Sequence, residues 1–309
     1  MKKILTLTTN PALDKSITVP ELVPDKKLRA SEGKTEPGGG GINVSRALKK
    51  LGMDSLAVYF SGGYTGKQFD SLLSAEGIAV KPFPIAAATR ENFIVVDTST
   101  RQQYRFGMEG PDIKASEWAP CLDWIGGQTG MDFLVASGSL APGVPPDSMG
   151  RLAAIARKAN AKLVVDTSGD ALAHAVQEGV FLLKPNLGEL GKLIGREKIA
   201  AHEVADAALS VIQKGGCEIM VVSMGADGAA LVTARDRFTV QAPQVEKKST
   251  VGAGDSMVAG ILAALTNGWP LQDVLRYGVA CGAAAAMNEG TELCKKTDAD
   301  RLFSQMKRG

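Results

Sequence analysis

Ser249-Thr-Val-Gly-Ala-Gly-Asp-Ser-Met-Val-Ala-Gly260 sets three small residues ahead of an apolar-periodic segment, Met257, Val258, Ile261, Leu262 and Leu265. The pattern predicts a glycine loop entering a helix. A first helical turn carries unpaired N–H groups and the positive end of the macrodipole, so it attracts phosphate or developing phosphoryl charge. Gly252, Ala253 and Gly254 are small enough for such a group to approach their backbone. Asp255 stands where loop and helix meet and has two readings. It is an N-cap, worth about 1 kcal/mol and needing no function, or a general base for a hydroxyl attacking a phosphoryl group held on those N–H groups.

A second glycine run, Glu36-Pro-Gly-Gly-Gly-Gly-Ile-Asn-Val-Ser-Arg-Ala-Leu48, also leads into a helix, with Ile42, Val44, Ala47, Leu48 and Leu51 as its apolar face. Successive glycines weaken a chain through backbone entropy, so close backbone approach is expected here. The run fits neither the P-loop nor the dinucleotide fingerprint. Asn43 is either a partner for ligand hydroxyls or an ordinary first-turn polar residue. Asp14, just past the first predicted strand, is a substrate contact or a turn former. Asn186 and Glu189 lie one helical turn apart, which suits a hydrated Mg²⁺ or phosphates, and equally a capped helix start. Ser223-Met-Gly-Ala-Asp-Gly228 reads as a nucleotide loop or a hairpin turn. The alanines of Cys281–Gly290 read mostly as helix packing, with a flat wall for an adenine ring as the alternative.

Composition limits the rest. With 309 residues, 45% hydrophobic and 22% charged, the chain can bury a large core. A net charge of +2 from 35 basic and 33 acidic residues argues against a dedicated nucleic-acid binder. Cys121, Cys217, Cys281 and Cys294 form no C-x-x-C pair, which fits reduced thiols, and two histidines, His174 and His202, disfavour His triads and His-ligated metals. The start Met-Lys-Lys-Ile-Leu is broken by threonines and Asn10-Pro11, so it reads as a strand instead of a secretion signal. No stretch approaches the ~18 apolar residues of a membrane span. The expectation is a cytoplasmic protein.

Along the chain, Ile4–Thr8 predicts a buried strand. Ser16–Val19 and Lys27–Ala30 look like hairpin material, followed by the glycine-run helix, a strand over 55–60 and a helix over 67–76. Thr89–Asp97 and Gln102–Met108 predict two strands around Thr98–Arg101. Together with the earlier hairpin they can form one small sheet carrying Lys27, Arg29, Arg90 and Arg105. Those four are either charges that blunt sheet edges or a clamp for an anionic substrate on a water-excluding lid. From Trp118 onward, apolar strands at 132–137, 162–166, 180–184 and 218–223 alternate with helices at 146–159, 171–178 and 201–214. This predicts a parallel sheet covered on both faces. An antiparallel hairpin is expected at 229–233 and 238–242.

Taken together, these residues resemble a ribokinase-like carbohydrate kinase of the phosphofructokinase-B group. Pro37-Gly-Gly-Gly-Gly-Ile-Asn-Val44 resembles the first family signature, Ser249-Thr-Val-Gly-Ala-Gly-Asp-Ser256 the second, and Asn186 with Glu189 the N-x-x-E motif. The resemblance runs from the first strand to the C-terminal helices. Leu13-Asp14, Lys27-Leu-Arg29, Thr89-Arg90, Gln103-Tyr-Arg-Phe106 and Ser137-Gly-Ser-Leu140 are most similar to the B-type (minor) 6-phosphofructokinases. The implied fold is α/β, a three-layer sandwich with a central mostly parallel sheet and a small β-sheet lid. The main domain would take residues 1–11, 37–83 and 109–309, and the lid, also a dimerisation clasp, 12–36 and 84–108.

The resemblance implies Asp255 as catalytic base, with the backbone of Gly252, Ala253 and Gly254 as anion hole. Asp14, Lys27, Arg29, Gly38, Gly39, Asn43, Arg90, Arg105 and Ser139 would contact a phosphosugar. Lys184, Asn186, Glu189, Ser223, Gly225, Gly228, Gly254 and Asn288 would line the ATP side, with Glu189 acting on Mg²⁺ indirectly. Ser249, Val251, Ala285, Asn288 and Gly290 would surround K⁺. Glu292 and Glu109 stand where the family pattern has a basic residue and a proline. The implied reaction is ATP-dependent phosphorylation of fructose 6-phosphate at its 1-hydroxyl by a homodimer, without nucleic-acid or membrane partners. Tagatose-6-phosphate kinase and 1-phosphofructokinase need the same residue types. Outside the kinases, an NAD-linked oxidoreductase is disfavoured by the failed fingerprint, and a non-catalytic nucleotide-binding regulator by the intact Gly-Ala-Gly-Asp255.

Overall fold

The computed structural model describes residues 3–307, so residues 1–2 and 308–309 of the expected main-domain ranges lie outside the described residues. In chain order the first half comprises β1 (Ile4–Thr8), β2 (Ala12–Val19), β3 (Lys34–Gly38), α1 (Gly40–Lys50), β4 (Leu56–Ser61), α2 (Gly63–Ala75), β5 (Ala79–Pro84), β6 (Arg90–Asp97), β7 (Gln102–Phe106) and α3 (Ala115–Gly126). The second half continues with β8 (Phe133–Ser137), α4 (Ser148–Lys158), β9 (Lys162–Asp166), α5 (Gly169–Glu178), β10 (Val180–Leu183), α6 (Leu187–Leu193), α7 (Val204–Gln213), β11 (Cys217–Ser223), β12 (Ala229–Val232), β13 (Arg237–Val240), α8 (Ala253–Thr266), α9 (Leu271–Ala286) and α10 (Lys296–Met306).

Nine strands form the main sheet in the order β13-β12-β11-β10-β9-β8-β1-β4-β5. All its pairs are parallel except β11–β12 and β12–β13. Successive side chains point to opposite faces of a strand, so a sheet buried on both sides has near-continuous apolar strands. In β1, Leu5 and Leu7 join the core beneath α3, α4, α5, α6 and α7, whereas Ile4 joins the core beneath α1, α8, α9 and α10. Three layers result, as expected for the α/β class. No helix among the described residues is long and apolar enough to cross a membrane.

The second sheet has four strands in the order β3-β2-β6-β7. The expected small sheet forms, but its first hairpin differs from expectation. Residues 27–30 lie in the loop between β2 and β3, and the partner of β2 is Lys34–Gly38. Pro24 and the left-handed Asp25 (φ 58°) interrupt the earlier stretch. The strand over 79–84 carries Pro82 and Pro84, which hid it from pattern reading. It pairs with β4 alone, and an edge strand tolerates proline.

Behind β3 lies an ion network centred on the buried pair Arg46 and Glu36 and reaching the exposed Glu76 and Lys34. Arg46 of α1 donates Nη1 to Pro37 O at 2.8 Å and engages both Glu76 oxygens, with Glu36 at 3.5 Å. It thereby ties the glycine run to α1 and α2. Burial opposes ionisation of Glu36, but hydrogen bonds from Thr291 and Lys34 together with Arg46 hold its carboxyl below the usual glutamate range. Removing one member of a buried charge network leaves the others uncompensated. Arg46→Met should therefore lower the unfolding free energy by about 3 kcal/mol in urea titrations, and a loss under about 1 kcal/mol would show that the network does not support the fold.

Candidate active site

In the main sheet β1 lies between β8 and β4; the chain moves outward from β1 through β4 and β5, then returns to β8 and proceeds the other way. The crevice at the carboxyl ends of β1 and β8 is thus a topological switch point, where open α/β sheets bind ligands. The glycine run fits against this crevice. A Cβ on Gly38 would overlap the Asp14 carboxylate, one on Gly40 would overlap Ser137 Oγ and the Gly138 backbone, and one on Gly41 would strike Thr8 Oγ1 and the Leu7 carbonyl. Gly39 has φ 112°, which side chains disfavour. These contacts explain four consecutive glycines. Ile42 N, in the first turn of α1, then donates to Thr8 Oγ1 at 2.8 Å.

Asn43 joins the two glycine motifs, its Nδ2 donating to Asp255 Oδ2 at 2.9 Å. Its Oδ1 is buried and without a partner, free to accept from a ligand hydroxyl. The capping reading of Asp255 does not hold, because the N-cap of α8 is Gly252 (φ 73°, ψ 0°) without a side-chain cap bond. Asp255 is the third residue of the helix, half-buried and turned toward Asn43. Burial pushes its carboxyl up to about 7, Asp166 and Asp14 adding to the rise while Asn43 and Lys184 oppose it. Such a group can exchange a proton near neutrality.

On the other side of the loop lies Lys184, its Nζ 3.0 Å from Asp166 Oδ1 and beside Gly254. Burial disfavours its charge, but Asp166, with Asp255 and Glu189 farther off, keeps its pKa above the ordinary lysine value. A fixed cation thus sits behind the anion cradle. Asp166, at the carboxyl end of β9, was missed in the sequence because a strand-end Asp is unremarkable without its partner. Asn186 and Glu189 form a capping box, Glu189 N donating to Asn186 Oδ1 at 2.9 Å and Asn186 N to Glu189 Oε2 at 2.8 Å. The cap reading therefore holds, and Glu189 Oε1 remains for a further partner.

A cleft of about 380 Å³ extends from this loop, bounded by Ser223, Gly225, Gly228, Gly254, Ala283 and Ala286. The Ser223–Gly228 segment is both a strand-to-strand turn and a wall of the cleft. Ala280, Ala284 and Ala285 pack in the core, as the packing reading expects, whereas Ala283 and Ala286 face the cleft on another side of α9. Asn288 does not line this cleft; its amide donates to Ala284 O and Leu293 O. It lies instead where Ser249 Oγ donates to Gly290 O at 2.7 Å, Ser249 N to Ala286 O, and Asn288 N to Ala285 O. Val251 N donates to the same Ser249 Oγ, so all five residues expected around K⁺ come together. Glu292 faces Lys295 at 3.4 Å, and Glu109 O accepts from Asn10 Nδ2 at 3.0 Å.

The second sheet covers this centre within one chain. Arg105 of β7 donates to Thr250 Oγ1 at 2.8 Å, and Thr291 Oγ1 donates to Glu36 Oε2 at 2.7 Å. Arg90 donates to Met108 O at 2.6 Å and Asn10 O at 2.9 Å, leaving its buried Nε without a partner. Burial lowers its pKa, with Asp14 opposing. Lys27 and Arg29 stay apart, exposed on the β2–β3 loop, and exposed Ser139 approaches through its carbonyl, which accepts from Thr9.

Residues 8–298 match the family described as pfkB family carbohydrate kinase. The chain belongs to that family. It is 42% identical over 302 residues to the ATP-dependent 6-phosphofructokinase isozyme 2 of Mycobacterium tuberculosis, covering 97% of this chain and 89% of the other. To the isozyme 2 of Escherichia coli it is 38% identical over 309 residues, covering 100% of both. A 1-phosphofructokinase of Bacillus subtilis is 34% identical over 291 residues, 94% of this chain and 95% of the other. Structures of Escherichia coli phosphofructokinase-2 with potassium (TM-score 0.95, 38% identity) and with fructose-6-phosphate (0.94, 36%) each match over 100% of both chains. The fold, a ribokinase-like sandwich with a second small sheet, is that of its relatives.

Because the folded pKa of Asp255 lies above its unfolded value, its contribution to stability is complete at low pH and is lost as pH rises through about 7. Asp255→Asn removes this loss. Thermal melts should therefore show the variant gaining on the parent between about pH 4 and 7 and holding a constant lead above; a lead that does not grow with pH would remove the strained carboxylate.

Proposed function

We propose that the protein transfers the γ-phosphoryl group of ATP to the 1-hydroxyl of fructose 6-phosphate, giving fructose 1,6-bisphosphate and ADP. The observation that carries this reading is the Asn43–Asp255–Lys184 arrangement, with a proton-accepting carboxylate between a sugar-facing amide and a buried cation at one helix N-terminus. The names of the similar proteins agree with it.

In this scheme Asp14, the Gly38–Gly39 backbone, Asn43 and Ser139 orient the sugar, and Arg90 and Arg105 hold its phosphate. Asp255 takes the proton of the 1-hydroxyl as the oxygen bonds to the γ-phosphorus. The bond from that phosphorus to the bridging oxygen breaks, and ADP leaves. The N–H groups at Gly252, Ala253 and Gly254, with Lys184, neutralise charge gathering on the transferred group. Ser223, Gly225 and Gly228 form the adenosine side of the cleft.

Magnesium, carried in with ATP, would be approached by Asn186 and Glu189 and would supply neutralising charge for the phosphates. The site suits that ion, since Asn186 and the free Glu189 oxygen offer outer contacts to its waters. Among the described residues there is no cluster of three or more His, Cys, Asp or Glu side chains for an all-protein cage. The junction of Ser249, Val251, Ala285, Asn288 and Gly290 is rich in carbonyl and hydroxyl oxygens, a donor set suited to a large monovalent cation such as K⁺.

Residues 12–36 and 84–108 serve as the lid, excluding water from the transfer. Two lids pair in a homodimer, supported by exposed Tyr104 and Phe106 on the edge strand β7 and Met108 beyond it. Exposed Lys27 and Arg29 would then complete the partner's sugar-phosphate site. A 1-phosphofructokinase activity is the second reading, since one similar protein carries that name.

Asp255→Asn should reduce turnover on the order of 10³-fold while sugar affinity changes little; turnover within about tenfold of the parent removes Asp255 from the base role. ADP release measured across fructose 6-phosphate, fructose 1-phosphate, tagatose 6-phosphate and unphosphorylated sugars should be fastest with the first. Turnover confined to unphosphorylated sugars would show that the basic lid residues do not recognise phosphate.

A further inference from the structure

Asp14 of β2 faces Asn92 of β6 directly across a parallel pair, and on its other side faces Glu36 of β3. Asn92 Nδ2 donates to Asp14 Oδ1 at 2.9 Å, and Asn92 Oδ1 accepts from Met108 N at 3.1 Å. A backbone N–H can only donate, so the atom facing Met108 must be the amide oxygen and the atom facing Asp14 the NH₂. Asn92 thus bridges a carboxylate on an inner strand of the lid and the segment by which the chain leaves the lid.

That exit segment is held at several points. Arg90 grips Met108 O, and Asn10, at the crossing into the lid, donates to Glu109 O at 3.0 Å. Arg90 also takes Asn10 O, so both crossings are stitched together around the start of β6. Within this clamp Asn92 alone touches Asp14. Arg90 competes for the same carboxylate, since its buried Nε has no partner and its charge is felt at Asp14. Without Asn92, the carboxylate would turn toward the guanidinium and away from the crevice where Gly38 packs against it.

We infer that Asn92 is a positioning residue for sugar phosphorylation, aiming the Asp14 carboxylate at the sugar while the 107–109 segment is docked. It acts through Asp14 and touches neither ATP nor the transferred phosphoryl group. The inference rests on the reading of Asp14 as a sugar contact. It goes beyond that reading by making sugar recognition depend on lid docking, through one side chain that neither glycine signature contains.

The test is a double-mutant cycle on the full-length protein with Asn92→Leu, Asp14→Ala and the double variant, measuring KM for fructose 6-phosphate, KM for ATP and kcat. Asn92→Leu should raise the sugar KM about tenfold or more, leave kcat and the ATP KM within about threefold, and add nothing on the Asp14→Ala background. Asn92→Asp, which keeps an acceptor for Met108 N but sets a second carboxylate against Asp14, should reproduce the sugar-KM rise and also lower the melting temperature. The inference is overturned if Asn92→Asp leaves the sugar KM at the parent value, if kcat and the ATP KM move as much as the sugar KM, or if the effects multiply in the double variant. If Asp14→Ala leaves the sugar KM unchanged, the sugar-site reading itself fails; if only the Asn92 variants are silent, that reading stands and the positioning role falls.

Discussion

The site depends on one electrostatic compromise, a carboxylate held at a helix N-terminus with too little water to ionise freely and just enough polar support to ionise near neutrality. Burial alone would keep Asp255 protonated and useless as an acceptor. The Asn43 amide and the Lys184 ammonium bring it back within reach. Lys184 is itself a charge in a dry place, and Asp166 keeps it ionised. The series Asn43–Asp255–Lys184–Asp166 joins the start of α1 to the end of β9, and its two shifted members, Asp255 and Lys184, owe their charge states in part to their neighbours. Rigid elements hold all four, at the starts of α1 and α8 and the ends of β9 and β10.

The glycine runs serve this compromise by removing bulk. Each of Gly38, Gly40 and Gly41 admits a polar group of another element to a place where a side chain would stand. Gly252 adopts a left-handed conformation with Leu293 packed where its Cβ would lie, and no side chain caps the N–H groups at the start of α8, where Ala253 N makes only a long 3.4 Å contact to Thr250 O. An N-cap side chain there would satisfy those donors permanently and close the anion cradle. Its absence is a local cost in helix stability that leaves the start of α8 without a side-chain cap.

Much of this was legible in the sequence because it is encoded locally. The two loops and the alternation of strands and helices follow from spacing, which leaves Asn43 and Asp255 open between two roles that only the family resemblance separates. What escaped was encoded at long range or in strands that violate strand statistics. Lys34-Thr-Glu-Pro-Gly38 and Ala79-Val-Lys-Pro-Phe-Pro84 carry prolines that pattern reading treats as breakers, yet both are edge strands whose outer N–H groups have no ladder partner to lose. Asp166, Glu36 and Asn92 acquire meaning only from partners far along the chain, and so does the contact of Arg105 with Thr250. The capping reading of Asp255 failed by three residues, a difference that sequence periodicity does not resolve.

The parallel pairing of β2 with β6 also bears on how the molecule is made. Between these strands the chain lays down β3, α1, β4, α2 and β5, so the second sheet cannot close until that whole unit has folded back on β1. Contacts across such separations form late, because loop closure precedes the energy that rewards it. The sheet that covers Asp255 is therefore among the last parts to assemble. A chain still folding exposes the anion cradle to water before it can exclude it, and the capacity to transfer a phosphoryl group arrives only with the completed fold.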